Sequence, residues 1–214
     1  MRDFGAKSAR GDGGRSVKAR REPGFVRITG GELRGRKIAT PGGGTHPMGE
    51  RERLALFNML GERINRDVRI LDAYAGGGTL GLEAISRGAR KVSFCERDPL
   101  ACKVIGENAT SLGISCDCEI FQMNADELAK MSVDKYDIVL MDPPYDTFHP
   151  EMIDELSEVL TLGGLLVVSH PGEPAEIDGL IMLKTRKYAG AHITIYEREI
   201  SNCGNDMIIG KNTL

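Results

Sequence analysis

Val68-Arg69-Ile70-Leu71-Asp72-Ala73-Tyr74-Ala75-Gly76-Gly77-Gly78-Thr79-Leu80-Gly81 runs directly into the helical pattern Leu82-Glu83-Ala84-Ile85-Ser86-Arg87. A short apolar strand, a glycine turn and a helix in that order predict one unit of an α/β sheet. Glycine permits a tight turn and close approach of the backbone to a ligand, and the first turn of the helix leaves N–H groups free for an anionic moiety. Gly76, Gly78 and Gly81 satisfy the loose G-x-G-x-x-G pattern, so a dinucleotide such as NAD remains open at this point.

Downstream, the strand Lys91-Val92-Ser93-Phe94-Cys95 ends at Glu96 and Arg97. An acid about 20 residues beyond a glycine turn is placed to accept from ribose hydroxyls. The apolar segment Cys118-Glu119-Ile120-Phe121-Gln122 leads to Asn124-Ala125-Asp126, where an adenine edge could be read, although Asp126 could equally start the helix through Met131. The cofactor set is therefore Asp72, Ala73, Tyr74, Ala75, Gly76, Gly78 and Leu80 in the first turn, Glu96 and Arg97 in the second, and Asn124, Ala125 and Asp126 in the third.

The run Tyr136-Asp137-Ile138-Val139-Leu140-Met141 reads as a buried strand closed by Asp142-Pro143-Pro144-Tyr145. Proline fixes its own φ and restrains the residue before it, which holds the Asp142 and Pro143 acceptors outward in an extended turn. Tyr145 adds a flat face, so the cluster suits a planar ring with an exocyclic NH2, a nucleobase. Asp-Pro-Pro is also an ordinary strand exit; the glycine turn upstream favours function.

Charge is unevenly distributed: residues 1–66 hold 15 Lys and Arg against 7 Asp and Glu, +8, and residues 67–214 hold 13 against 24, −11. A basic front on an acidic body suits a protein whose front grips phosphate. Residues 1–24, rich in Gly, Arg, Lys and Ser, are expected to be a disordered tail until RNA is present. No stretch approaches a membrane span, and the basic start lacks a secretory apolar region. Five cysteines point to reduced thiols and a cytoplasmic setting rather than a disulfide framework. Cys116 and Cys118 lack the second pair or nearby histidine of a metal site, so no metal is expected, and His46, His149, His170 and His192 are scattered and form no visible catalytic cluster.

Residues 25–66 read as an extension. Phe25-Val26-Arg27-Ile28 and Arg36-Lys37-Ile38-Ala39 suggest a hairpin with arginines on its turn side, Pro41 to Pro47 a mobile loop, and Glu50 to Leu60 an amphipathic helix. In that helix Leu56, Met59 and Leu60 face the core with Arg53 in register. Arg34, Arg36 and Lys37 are candidates for RNA phosphate, as are Arg51 and Arg53, which could instead pair with adjacent glutamates. Beyond the clamp, Glu151 to Leu160 reads as a helix stopped by Gly163-Gly164, then Leu165 to Ser169 as a strand. Ile181-Met182-Leu183 and His192 to Tyr196 form a final strand pair, and residues 201–214 a tail. The fold class is a doubly wound, Rossmann-like α/β sheet, mostly parallel with an antiparallel terminal strand.

Four motifs carry a resemblance: Arg27 to Lys37, Arg51 to Leu60, Asp72 to Ala89 and Asp142 to Tyr145. Together they resemble the class I S-adenosylmethionine-dependent methyltransferases, specifically the RsmD-like family, from about Val26 to Glu199. The resemblance implies S-adenosylmethionine as cofactor and methylation of the N2 amine of a guanine in 16S rRNA, guanine 966. It further implies a partner in the small ribosomal subunit or its assembly intermediate, a monomer, and a methyltransferase domain over 67–200. Asp142, Pro143, Pro144 and Tyr145 would be the catalytic set. Three departures stand out: His46-Pro47-Met48 replaces the family's usual Arg-Pro-Thr, removing a cation from a segment that resembles a substrate-facing loop. Gly49-Glu50 stands where a polar residue and Asp are commoner, and Ala73-Tyr74 replaces Leu-Phe but keeps an aromatic. Rival functions are an NAD-dependent oxidoreductase, a DNA adenine-N6 methyltransferase and a non-catalytic RNA-binding assembly factor.

Overall fold

A computed structural model describes residues 22–42, 47–131, 135–188 and 191–200. The tails expected over 1–24 and 201–214 lie almost wholly outside these residues, as do 43–46 of the proline- and glycine-rich loop; Gly24 already belongs to the first strand.

Strand formation follows the apolar runs. The strands β3 (Arg69–Asp72), β4 (Lys91–Cys95), β5 (Cys118–Phe121), β6 (Tyr136–Met141) and β7 (Leu160–His170) pair in parallel, and β8 (Leu180–Tyr188) and β9 (Ala191–Arg198) close the sheet. The order is β5-β4-β3-β6-β7-β9-β8, with β9 antiparallel to both neighbours. Inner strands covered on both faces need continuous apolar sequence, which is why Ile70-Leu71 and Ile138 to Met141 do not alternate with polar residues. Alternate residues feed two cores. Ile70, Ile138, Leu140, Leu165 and Val167 meet α1 (Glu50–Leu60), α2 (Thr79–Ser86) and α3 (Pro99–Leu112) on one face. Leu71, Val139, Met141, Leu166 and Val168 meet α4 (Ala125–Met131) and α5 (Glu151–Ser157) on the other.

The signals at α3 show the local logic. Asp98 accepts from the Leu100 N–H at 2.9 Å, Pro99 supplies the first helical φ, and Gly113 ends the helix at φ 76°.

The N-terminal hairpin, β1 (Gly24–Arg27) with β2 (Lys37–Thr40), is packed on the main unit rather than held apart from it. Ile28 and Ile38 are buried in the same core as Leu82 and Ile105. The Asn108 side chain of α3 accepts from the Ala39 N–H at 2.8 Å and donates to the carbonyls of Ala39 and Gly77, each at 3.0 Å. One amide thus ties the hairpin to the glycine turn.

One expectation is corrected. The helix begun at Glu151 stops at Ser157, and β7 starts at Leu160 and passes through Gly163-Gly164. Those glycines do not terminate a helix; they accommodate a bulge, with pairing to β6 shifting between Tyr136 and Ile138 and Gly163 at φ 74°.

Candidate functional site

From β3 the sheet grows outward to β4 and β5, then the chain crosses back to place β6 on the other side of β3. Open α/β sheets bind ligands at such a switch point, beyond the carboxyl ends of the strands. Asp72 closes β3 and Asp142 follows the last residue of β6, so the two acids flank the crevice.

The glycine turn is built by backbone bonds. Ala73 N–H donates to Leu140 O at 2.9 Å, Ala75 N–H to Cys95 O at 3.1 Å, and Gly78 N–H to Ala75 O at 2.7 Å. Gly78 sits at φ 81° as the residue before α2, a conformation side chains resist, and no side chain caps the helix start. Of its first-turn amides, those of Thr79 and Leu80 meet no acceptor among the described residues and are open to a ligand. Asp72 is buried and its Oδ2 accepts from Gly81 N–H at 2.8 Å. A Cβ on Gly81 would stand 2.2 Å from the Phe94 ring, so glycine is also required here for helix and strand to touch. The Leu80 side chain lies in the core, which leaves only its backbone to serve a ligand.

Glu96 lies at the tip of β4. Its Oε2 accepts from Gly76 N–H at 2.7 Å and its Oε1 from Asp98 N–H at 2.8 Å. These bonds fix the carboxylate while each oxygen keeps lone-pair capacity for a hydroxyl donor. Tyr74 is half-buried beside Asp126, Glu155 and Arg97; burial and the nearby acids push its phenol up to about 12. Asn124 N–H donates to Glu127 Oε2 at 3.0 Å, Ala125 is buried, and Asp126 meets Lys130 at 3.3 Å. The third turn is thus the start of α4 as well as the rim of the crevice.

Electrostatics distinguish the site. Burial lifts the Asp72 carboxyl to about 7, opposed by the Gly81 bond and reinforced by the charges of Asp142 and Glu96. Burial lifts Asp142 to about 6, opposed by a hydrogen bond from Ser169. A buried Asp72 that feels the charges of both Asp142 and Glu96 favours a cationic occupant of the crevice. The Thr79 and Leu80 amides at the start of α2 supply the complementary anion site. This donor set fits S-adenosylmethionine, which carries a sulfonium, an ammonium and a carboxylate.

In the clamp, Thr147 donates to Pro144 O through both its N–H (3.0 Å) and its hydroxyl (3.1 Å). The turn is closed that way, and the Pro143 carbonyl accepts no hydrogen bond among the described residues. Tyr145 is exposed, and its hydroxyl lies 2.7 Å from Ser169 Oγ. Ser169, buried at the end of β7, thus contacts both Asp142 and Tyr145. Sequence reasoning read Ser169 only as the end of a strand. Its signal was positional, since the strand after the clamp must end beside it.

The basic candidates divide. Arg34, Arg36, Lys37 and Arg51 are exposed, and Arg36 donates to Ser111 O at 2.9 Å. Arg53 is corrected: it is fully buried and pairs with Glu83 of α2, not with an adjacent glutamate, and donates to the carbonyls of Met48 and Arg27. It has no surface to offer phosphate. His46 lies outside the described residues. Among those described, no group of His, Cys, Asp and Glu could hold a metal ion, and no helix is long and apolar enough to cross a membrane.

Known proteins resemble this chain along most of its length. A family model described as Conserved hypothetical protein 95 matches residues 26–197. The chain is 34% identical to Ribosomal RNA small subunit methyltransferase D of Escherichia coli K12, over 67% of this chain and 70% of that protein. It is 27% identical to a Putative rRNA methyltransferase, YlbH, of Bacillus subtilis, over 81% of this chain and 99% of the relative. Among solved structures, the putative methyltransferase yhhF from Escherichia coli superposes with a TM-score of 0.74 at 30% identity, covering 82% of this chain and 99% of that one. With its switch-point acids, its glycine turn and this match along most of its length, the chain belongs to the Conserved hypothetical protein 95 family, the RsmD-like class I S-adenosylmethionine-dependent methyltransferases.

Proposed function

We propose that this chain methylates the exocyclic N2 amine of a guanine in 16S rRNA, guanine 966 by resemblance, during maturation of the small ribosomal subunit. The observation that carries the reading is the joining of Asp142, Tyr145 and Ser169 at the tip of β6 and β7, beside the glycine turn. The substrate class follows the names of two relatives, Ribosomal RNA small subunit methyltransferase D and Putative rRNA methyltransferase YlbH.

When bound, S-adenosylmethionine supplies an electrophilic methyl on sulfur. Asp72, Gly76, Gly78 and the first-turn amides of α2 would hold its amino-acid portion. Glu96 would hold the ribose, and Asn124 to Asp126 with Tyr74 the adenine end. An aromatic amine attacks poorly because its lone pair is delocalised into the ring. Asp142 Oδ and the Pro143 carbonyl accept its two N–H groups, favouring a more tetrahedral nitrogen and stabilising the positive charge that develops there. Tyr145 stacks on the base. Asp142 need not abstract a proton before attack, since the nitrogen becomes acidic once alkylated. A paired base must first be extruded, at a cost of a few kcal/mol. Residues 25–66 form the RNA-facing extension, with Arg34, Arg36, Lys37 and Arg51 on phosphate. The chain works as a monomer in the cytoplasm on the subunit or its assembly intermediate.

The test is labelled S-adenosylmethionine with small subunits or their precursors, followed by mass spectrometry of the digested RNA. N2-methylguanine is expected, and its loss in Asp142→Ala. Methyl on adenine, or on DNA alone, overturns the assignment; an Asp142→Ala protein that keeps every RNA-dependent effect without any methyl product points to a binding factor.

A further inference from the structure

The sheet carries the level of the clamp across to its far edge. Met141 pairs with Val168, Val168 with Thr194 and Thr194 with Thr185. One residue further on, Ser169 pairs with Ile193 and Ile193 with Arg186. Directly opposed residues share a face of a sheet. Ile193 lies in the core that contains Leu56, Phe57 and Leu60 of α1, and Ser169 holds Tyr145. Arg186 is therefore on the clamp's face, level with Asp142 and three strand spacings away, about 14 Å. Lys184, opposite Ile195, shares that face. With Met59, Leu60 and Arg63 across from it, Lys184 borders a hollow of about 150 Å³ between α1 and β8.

Lys184 and Arg186 are exposed, and neither lies within ion-pair distance of an acid among the described residues. Neighbouring surface cations are engaged: Arg63 with Glu197 and Lys187 with Glu173. Edge strands commonly carry lysine to discourage pairing with another chain. Here the exposed apolar half, Ile181-Met182-Leu183, has no charge, and the cations gather on the half nearest the clamp. A guard would serve the first half; a ligand at the crevice needs the second.

We infer that Lys184 and Arg186 hold the sugar-phosphate backbone of the RNA strand leading away from the base in the clamp, an inference that rests on the rRNA reading above. Arginine offers a fork of N–H donors to phosphate and lysine a point charge, so the pair adds affinity without reading sequence.

The experiment measures RNA affinity against salt for wild type and Lys184→Ala/Arg186→Ala, using a 16S fragment, with S-adenosylmethionine affinity as the control for folding. Expected are an RNA Kd raised about tenfold near 0.1 M salt and a log–log salt slope flatter by about one to two, with cofactor affinity retained. An unchanged Kd and slope in the variant, with wild type binding RNA, overturns this surface alone. A wild type that binds and methylates no RNA overturns the rRNA reading as well. Sedimentation showing a wild-type dimer that the double substitution dissociates, with RNA affinity falling only in step, replaces RNA at β8 with a second copy of the chain.

Discussion

Arg53 and Glu83 form a fully enclosed ion pair, with Arg53 Nε 3.4 Å from Glu83 Oε2 and neither side chain exposed. Glu83 also accepts from the Thr29 N–H at 2.8 Å, its hydroxyl at 2.6 Å and Arg87 Nε at 2.9 Å. One carboxylate on α2 thus gathers the end of the hairpin, α1 and its own helix. The basic extension is thereby locked to the helix that opens the cofactor crevice.

Removing one member of such a pair leaves the other buried and undercompensated, at a typical cost of about 3–5 kcal/mol. Arg53→Ala is expected near the lower end because Arg87 still faces Glu83. Urea unfolding reads the loss, while RNA affinity of the folded fraction stays at the wild-type value. Arg51→Ala should do the reverse, shifting stability by no more than about 0.5 kcal/mol and weakening RNA binding. An Arg53→Ala protein with normal stability and poor RNA binding would return Arg53 to the phosphate set.

In the proposed reaction Asp142 offers the developing cation a charged acceptor only when it is ionised. Its carboxyl sits at about 6, so methyl transfer is expected to rise with pH through that value and level off above it. Single-turnover rates between pH 5 and 8 provide the measurement. Asp142→Asn keeps an acceptor oxygen but no charge, so the rate should fall on the order of 10²–10³-fold and the inflection should vanish. A wild-type profile flat from pH 5 to 7 would remove the carboxylate from the reaction.

Tyr145→Phe and Ser169→Ala delete the same hydrogen bond from opposite ends. Each should lower kcat by roughly tenfold through a loosened ring, and the double variant should be little worse than either, giving a coupling of about 1.4 kcal/mol. Effects that simply add would mean that Ser169 acts on Asp142 alone.

Most of the architecture was legible because parallel strands buried on both faces must be continuous apolar runs, and Ile70-Leu71 and Ile138 to Met141 are such runs. Gly163-Gly164 misled because a glycine pair marks a helix stop and a strand bulge alike, and only the partner strand decides. Arg53 was ambiguous for a related reason. Its position in register with Leu56 and Leu60 implied burial, yet its charge implied solvent, and its partner Glu83 lies 30 residues away on another helix. Ser169 carried no local signal, since its neighbours Asp142 and Tyr145 come from a strand paired with its own. The residues proposed for the cofactor could be singled out in the sequence because they follow one another within single strand–turn–helix units, which the fold sets along one crevice.

Asp72 carries the last prediction, and its sign follows from linkage. In the empty protein its carboxyl is raised from 3.8 to about 7 by burial. Between those values the folded chain holds a proton that the unfolded chain has lost, so stability falls as pH rises through the window and the cost is complete above about 7. Asp72→Asn can keep the acceptor for Gly81 N–H and removes the buried charge. It should therefore stabilise the empty protein, by on the order of 2 kcal/mol more at pH 8 than at pH 5, in urea unfolding. The same substitution should weaken S-adenosylmethionine binding, because the cationic ligand loses an anion placed in the crevice. Wild-type binding should correspondingly tighten as pH rises through about 7. A stabilised variant with undiminished cofactor affinity would make Asp72 a brace for the glycine turn and leave the cation to Glu96 and Asp142.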